Sequence, residues 1–214
     1  MLDAAKNGDL KKVKALLRAN PRLISSKNNY GATPLFLAAG GGHKDVVALL
    51  LANHADVNTK GVLGLSPLYV ATQKDYREVA KLLLANKADV NVANDYGITP
   101  LHAAAMEGHK DMAALLLANN ANVNAKANTG TTPLHIAAIY GQKDVAALLL
   151  AHKADVNAKD NCGATPLRYA LEGREGASKL MGKDAFNLVF PDKPGMKKDL
   201  KETAELLLQH GGLK

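Results

Sequence analysis

Seven histidines, one cysteine and a recurring set of carboxylates are the side chains of this 214-residue sequence that could do chemistry. His102 and His135 follow Thr-Pro-Leu, His43 and His109 follow a glycine, and His54, His152 and His210 follow leucine-rich runs. A zinc site needs several such ligands converging on one point. Here they recur at matching places of a repeated unit, so each is set apart from the next along the chain. Structural roles are expected for all seven, the last three at helix ends where a cation complements the helix dipole. Asp45, Asp111 and Asp144 share one register and Asp56, Asp89 and Asp155 another; caps and turn hydrogen bonds account for carboxylates in such places. No phosphate loop, nucleophile elbow or Cys–His pairing is present. Gly40-Gly41-Gly42 precedes a helix but follows no strand. Cys162 sits in a turn-rich stretch and is expected to be an inert thiol. No catalytic residue, cofactor or metal is expected.

The elements that place these residues are repeated. Thr33-Pro34-Leu35, Ser66-Pro67-Leu68, Thr99-Pro100-Leu101, Thr132-Pro133-Leu134 and Thr165-Pro166-Leu167 stand 33 residues apart. Leucine triplets beginning at Leu49, Leu82, Leu115 and Leu148 keep the same interval, as do Val57-Asn58, Val90-Asn91, Val123-Asn124 and Val156-Asn157. A hydroxyl residue before Pro predicts a helix start, because the hydroxyl caps free N–H groups and Pro fits the first helical position. The helix that follows is short and rich in Ala, Gly ends it, and a second helix carries the Leu run. An Asn/Asp/Gly-rich stretch then turns toward the next Thr-Pro.

Thr99-Pro100-Leu101-His102-Ala103-Ala104 and Thr132-Pro133-Leu134-His135-Ile136-Ala137 resemble the ankyrin repeat, whose period and T-P-L-H-x-A signature they share. Gly42-His43-Lys44-Asp45 and Gly108-His109-Lys110-Asp111 are similar to that family's interhelical loop. The resemblance covers nearly the whole chain. It implies a mainly α fold: an ankyrin-repeat solenoid of stacked helix–turn–helix units with protruding β-hairpin fingers. One domain over 1–214 is expected, with an N-terminal capping repeat at 1–27, full repeats at 28–60, 61–93, 94–126 and 127–159, and a C-terminal capping repeat at 160–214. In the first repeat one extra residue lies near Asn20-Pro21. In the last, the Leu triplet comes 25 residues late, at Leu206. An insertion is therefore expected between its two helices at about 173–198, carrying Phe186, Leu188, Val189 and Phe190 and either sealing the last repeat or meeting a partner. A closing helix is predicted over 199–210.

Composition narrows the function. The chain is 47% hydrophobic and 22% charged but only 4% aromatic, with no Trp, so its core must be built from Ala, Leu and Val. One cysteine permits no intrachain disulfide, which fits a reducing, cytoplasmic setting; a secreted or periplasmic protein stripped of its leader would look the same. No run of about 20 apolar residues suggests a membrane span. The net charge of +7 is uneven: residues 1–27 are net +5, residues 28–172 are neutral and residues 173–198 are net +3. A nucleic-acid binder would carry a basic stripe along its working face, so neither nucleic acid nor membrane is an expected partner.

In the ankyrin family the finger tips and the exposed side of the first helices recognise a protein partner. Carried onto this chain, that implies a concave face made by Tyr30, Leu63, Leu65, Tyr96, Ile98, Met106, Glu107, Thr129, Ile139 and Tyr140, on a monomer. Tyr is favoured at binding hot spots. Gly61 in place of the usual Asp or Asn, and Asp75 in place of the interhelical Gly, make the third unit the most altered. Asn58, Asn91, Asn124 and Asn157 stand in a context similar to that of ankyrin asparagines that become hydroxylated, although the turn alone explains an Asn there. A regulatory inhibitor or scaffold attached to an enzyme system is the alternative. An enzyme with chemistry in the insertion is weaker still, because that segment offers only Glu175, Asp184 and Asp192 as acids and has no His or Cys.

Overall fold

A computed structural model of the chain describes residues 1–181 and 200–213. The chain divides into two compact units, Met1–Asp95 and Tyr96–Lys214. Unit 1 holds α1 (Leu2–Lys6), α2 (Leu10–Ala19), α3 (Pro34–Gly40), α4 (Lys44–Ala52), α5 (Pro67–Gln73) and α6 (Arg77–Ala85). Unit 2 holds α7 (Pro100–Glu107), α8 (Lys110–Ala118), α9 (Pro133–Ile139), α10 (Lys143–Ala151), α11 (Pro166–Met181) and a last helix, α12 (Leu200–Gln209).

The short first helices start where the hydroxyl residues stand. Thr33, Ser66, Thr99, Thr132 and Thr165 each accept, through the side-chain oxygen, the amide N–H three residues on, at 3.1–3.5 Å. Each N–H would otherwise be an orphan of the first turn. First helices pack side by side, α3 against α1 and α5 in unit 1 and α9 against α7 and α11 in unit 2, while second helices form another row. Ala38, Ala39 and Ala71 in unit 1 and Ala104, Ala105, Ala137 and Ala138 in unit 2 are fully buried. Small side chains let these helices approach closely, and Leu50, Leu83, Leu116 and Leu149 of the second helices, also fully buried, supply the bulk.

The turns between helices are locked from one layer to the next. The His43 ring Nε2 bonds the Lys6 carbonyl at 2.8 Å in unit 1, and Gln142 Nε2 donates to the Met106 carbonyl at 3.4 Å in unit 2. Second helices end on a side chain that donates back to the carbonyl four residues earlier: Asn53, Asn86 and Asn119 at 2.8 Å, His152 and His210 at 2.9 Å. His54 instead occupies the next position, with φ of 65°.

One expectation changes. Among the described residues there is no β-strand: the fingers are tight turns closed by a few backbone bonds, such as Asn28 N–H to the Ala32 carbonyl at 3.1 Å and Ala127 N–H to the Thr131 carbonyl at 2.9 Å. Within α11 the helix breaks at Gly173 (φ 63°, ψ −166°), where the insertion is expected to begin, and a second helical stretch runs on to Met181. Phe186, Leu188, Val189 and Phe190 lie outside the described residues. The extra residue near Pro21 is taken up in a 3-10 turn over Pro21–Ser25.

Candidate protein-binding surface

Finger 1 of unit 1 is organised by Asn28, whose Oδ1 accepts the N–H groups of Tyr30 (3.0 Å) and Ala32 (2.9 Å). The turn drives the Tyr30 ring outward, 72% exposed. In finger 2 Gly61 has no side chain to do the same. A 3-10 turn over Val62–Gly64 replaces the Asn-centred one and sets Leu63 in the left-handed region, at φ 55°. Such a φ costs a non-glycine residue roughly 1–2 kcal/mol. Val62 and Leu63 are nonetheless displayed, 40% and 51% exposed, and Leu65 is half-buried. The Leu63 carbonyl accepts the Asp95 N–H at 3.1 Å, so this tip is tied down behind the exposed side chains.

Unit 2 is different. Tyr96, Glu107 and Thr129 are half-buried, and the carbonyls of Tyr96 and Thr129 accept the N–H groups of Asn128 and Asn161 at 3.0 Å each. Ile98, Met106, Ile139 and Tyr140 are core residues, 2%, 4%, 2% and 5% exposed, and so offer no free surface to a partner. The reason lies in the layers around them. The places of Met106, Ile139 and Tyr140 hold half-buried Gly40 and Gly41 and, next, Gln73 and exposed Lys74 in unit 1, whereas in unit 2 α9 is packed by α7, α11 and α12.

The histidines are framework. Thr99 N–H can only donate, and it points at His102 Nδ1 at 3.2 Å. The proton therefore sits on Nε2, which donates to the Thr131 carbonyl of the next finger at 3.1 Å. Burial pushes the His102 imidazole down to about 4, so it is neutral and fixed in one tautomer. His135 repeats the arrangement with Thr132 N–H (3.1 Å) and the Ala164 carbonyl (3.1 Å), and burial lowers it too. Tyr169 packs edge-on against His135 and donates its hydroxyl to Asp160 at 2.5 Å, while the other Asp160 oxygen accepts the N–H groups of Cys162 and Ala164. Cys162 is exposed. Among the described residues no three His, Cys, Asp or Glu side chains come together as a metal site, and no helix is long and apolar enough to cross a membrane.

The asparagines after the second helices are also bonded across layers. Asn58 Oδ1 accepts the Asp89 N–H at 2.8 Å, Asn124 Oδ1 the Asp155 N–H at 2.9 Å and Asn157 Oδ1 the Leu213 N–H at 2.7 Å. Sequence reasoning had assigned them only to a turn. Their 33-residue recurrence was the signal that they bridge repeats.

Helix pairs joined by tight fingers, with Thr–His bridges and Asn ladders from repeat to repeat, define a helical repeat protein whose regular residues are used up in holding its own layers. The chain belongs to the ankyrin-repeat family: the family model for three copies of the repeat matches residues 1–94, 88–160 and 126–189. No curated protein matches the chain. Ankyrin repeats are generally protein–protein interaction modules and typically not enzymes.

Proposed function

We propose that this chain is a monomeric binding module whose protein partner docks on the exposed finger tips, with Tyr30, Val62 and Leu63 of unit 1 as anchors. The observation that carries this reading is Leu63: an apolar side chain, half exposed, held in a left-handed backbone. Strain kept at a position with no packing role marks a surface used for something else. Exposed apolar groups that cluster mark interaction sites, and Tyr30 adds an aromatic anchor of the kind hot spots favour. Leu65 flanks the tip in unit 1, and the half-buried Tyr96, Glu107 and Thr129 offer weaker, rim-like contacts in unit 2. The neutral charge of residues 28–172 suits an apolar contact with protein rather than with nucleic acid or a membrane.

Replacing Tyr30 and Leu63 together by Ser should lower affinity for the partner captured from the source cells by about tenfold or more. The melting temperature should not fall, because neither side chain is in the core. Equal affinity in the double variant would reject the assignment.

A further inference from the structure

The second helices carry a charge pattern that α2 reverses. The second residue of α4, α6, α8 and α10 is acidic: Asp45, Glu78, Asp111 and Asp144. A carboxylate there complements the positive end of the helix dipole. In α2 that place is Lys11, followed by Lys12 and Lys14, and the first turn has no acidic residue. Several cations of other second helices have counter-charges, as in Lys44–Glu78 at 3.5 Å and Lys81–Glu78 at 2.7 Å in unit 1 and Lys143–Glu202 at 2.5 Å in unit 2. Among the described residues Lys11, Lys12, Lys14 and Arg18 form no ion pair, and all four are exposed. Asp9 caps the helix at Lys12 N–H, and Arg18 in the last turn suits the dipole, but Lys11 and Lys12 in the first turn oppose it, and four like charges on one short helix repel one another.

Lys11, Lys14 and Arg18, spaced i, i+3 and i+7, lie along one face of α2. Beside that face is a cleft of about 230 Å³ between α2 and α4, lined by Lys14, Leu17, Arg18, Leu49 and Asn53. Its floor is apolar and two of its wall residues are cationic. We infer that this cleft is a second docking site, for an acidic peptide segment of a partner protein that seats an apolar side chain between Leu17 and Leu49 and lays its carboxylates on Lys11, Lys14 and Arg18. A concave cleft with an apolar floor fits a peptide side chain. A flat anionic bilayer would not reach that floor, and the lining has no aromatic ring on which a base could stack. The site is separate from the finger tips and stands whether or not they bind a partner.

The test is a titration of the isotope-labelled full chain with a short peptide of repeating Glu-Glu-Leu, followed by NMR, alongside an all-Glu peptide, phosphatidylserine vesicles and a short DNA duplex. Amide shifts should concentrate at residues 14–18 and 49–53. The Glu-Glu-Leu peptide should bind more tightly than the all-Glu peptide, the vesicles or the duplex. Lys11→Glu with Lys14→Glu and Arg18→Glu should weaken it by about tenfold or more, and the corresponding Gln variant, which keeps the helix solvated and neutral, should weaken it by a smaller factor. Tyr30→Ser with Leu63→Ser should leave it unchanged. Shifts centred elsewhere, equal affinity for the all-Glu peptide, tighter binding to vesicles or DNA, or full affinity in the Gln and Glu variants would each overturn the proposal.

Discussion

His102 links the repeat signature to a measurable property of the folded chain. Its imidazole, ordinarily near 6.5, is pushed down to about 4 by burial, so between those values the unfolded chain binds a proton that the folded chain refuses. The stability contributed by the neutral ring is complete above about pH 6.5 and is lost as pH falls toward 4, roughly 3 kcal/mol in all. His102→Leu removes the titration, so its unfolding free energy should fall less between about pH 7 and about pH 4.5 than that of the unaltered chain in urea melts. An equal fall would mean that His102 titrates freely. Asp75 makes the opposite case. It stands at φ 55° where the other interhelical loops have Gly, and its Oδ1 is buried without a partner. Asp75→Gly relieves the backbone and the unpaired oxygen but loses the exposed 3.2 Å contact to Arg77, which is worth little. Denaturant melts should show a gain of about 1 kcal/mol.

Elements were legible where their causes are local. The hydroxyl of Thr33 or Thr132 reaches an amide three residues away, so helix starts could be read from Thr-Pro alone. The fingers were less so. Asn28 and Asp160 close their turns through side-chain oxygens within four residues, which leaves too little paired backbone for the hairpin strands expected from the family. Turns, interhelical and finger alike, are set by their neighbours as well as by their own sequence. A Cβ at Gly108 (φ 75°) would meet Gln142 Oε1 at 2.3 Å, whereas one at Gly163 (φ 74°) would meet nothing within 4 Å. Gly163→Ala should therefore cost only the left-handed strain, about 1 kcal/mol, and Gly108→Ala clearly more. Equal costs in denaturant melts would show that the Gln142 lock on the Met106 carbonyl contributes nothing.

At the scale of the whole molecule, periodicity revealed the framework but not which remaining residues are free. Ile98, Met106, Ile139 and Tyr140 look free when one repeat is read alone, yet all four are buried. α9, which ends at Ile139, packs against α7, α11 and α12, neighbours that no single repeat announces. Tyr30 and Leu63 were legible as candidates because both stand at the tips of short turns. A monomer presenting one such surface should have the mass of a single chain, 22.6 kDa, by light scattering, and a dimer would contradict that part of the reading. The most direct test of the binding surface is site-specific photo-cross-linking in source cells, with the reactive side chain placed at Tyr30, at Leu63 or, for comparison, at exposed Asn119 on the far end of α8. One shared protein adduct is expected from positions 30 and 63, with little or none of it from 119. Adduct from 119 alone, or equal amounts from all three positions, would contradict it.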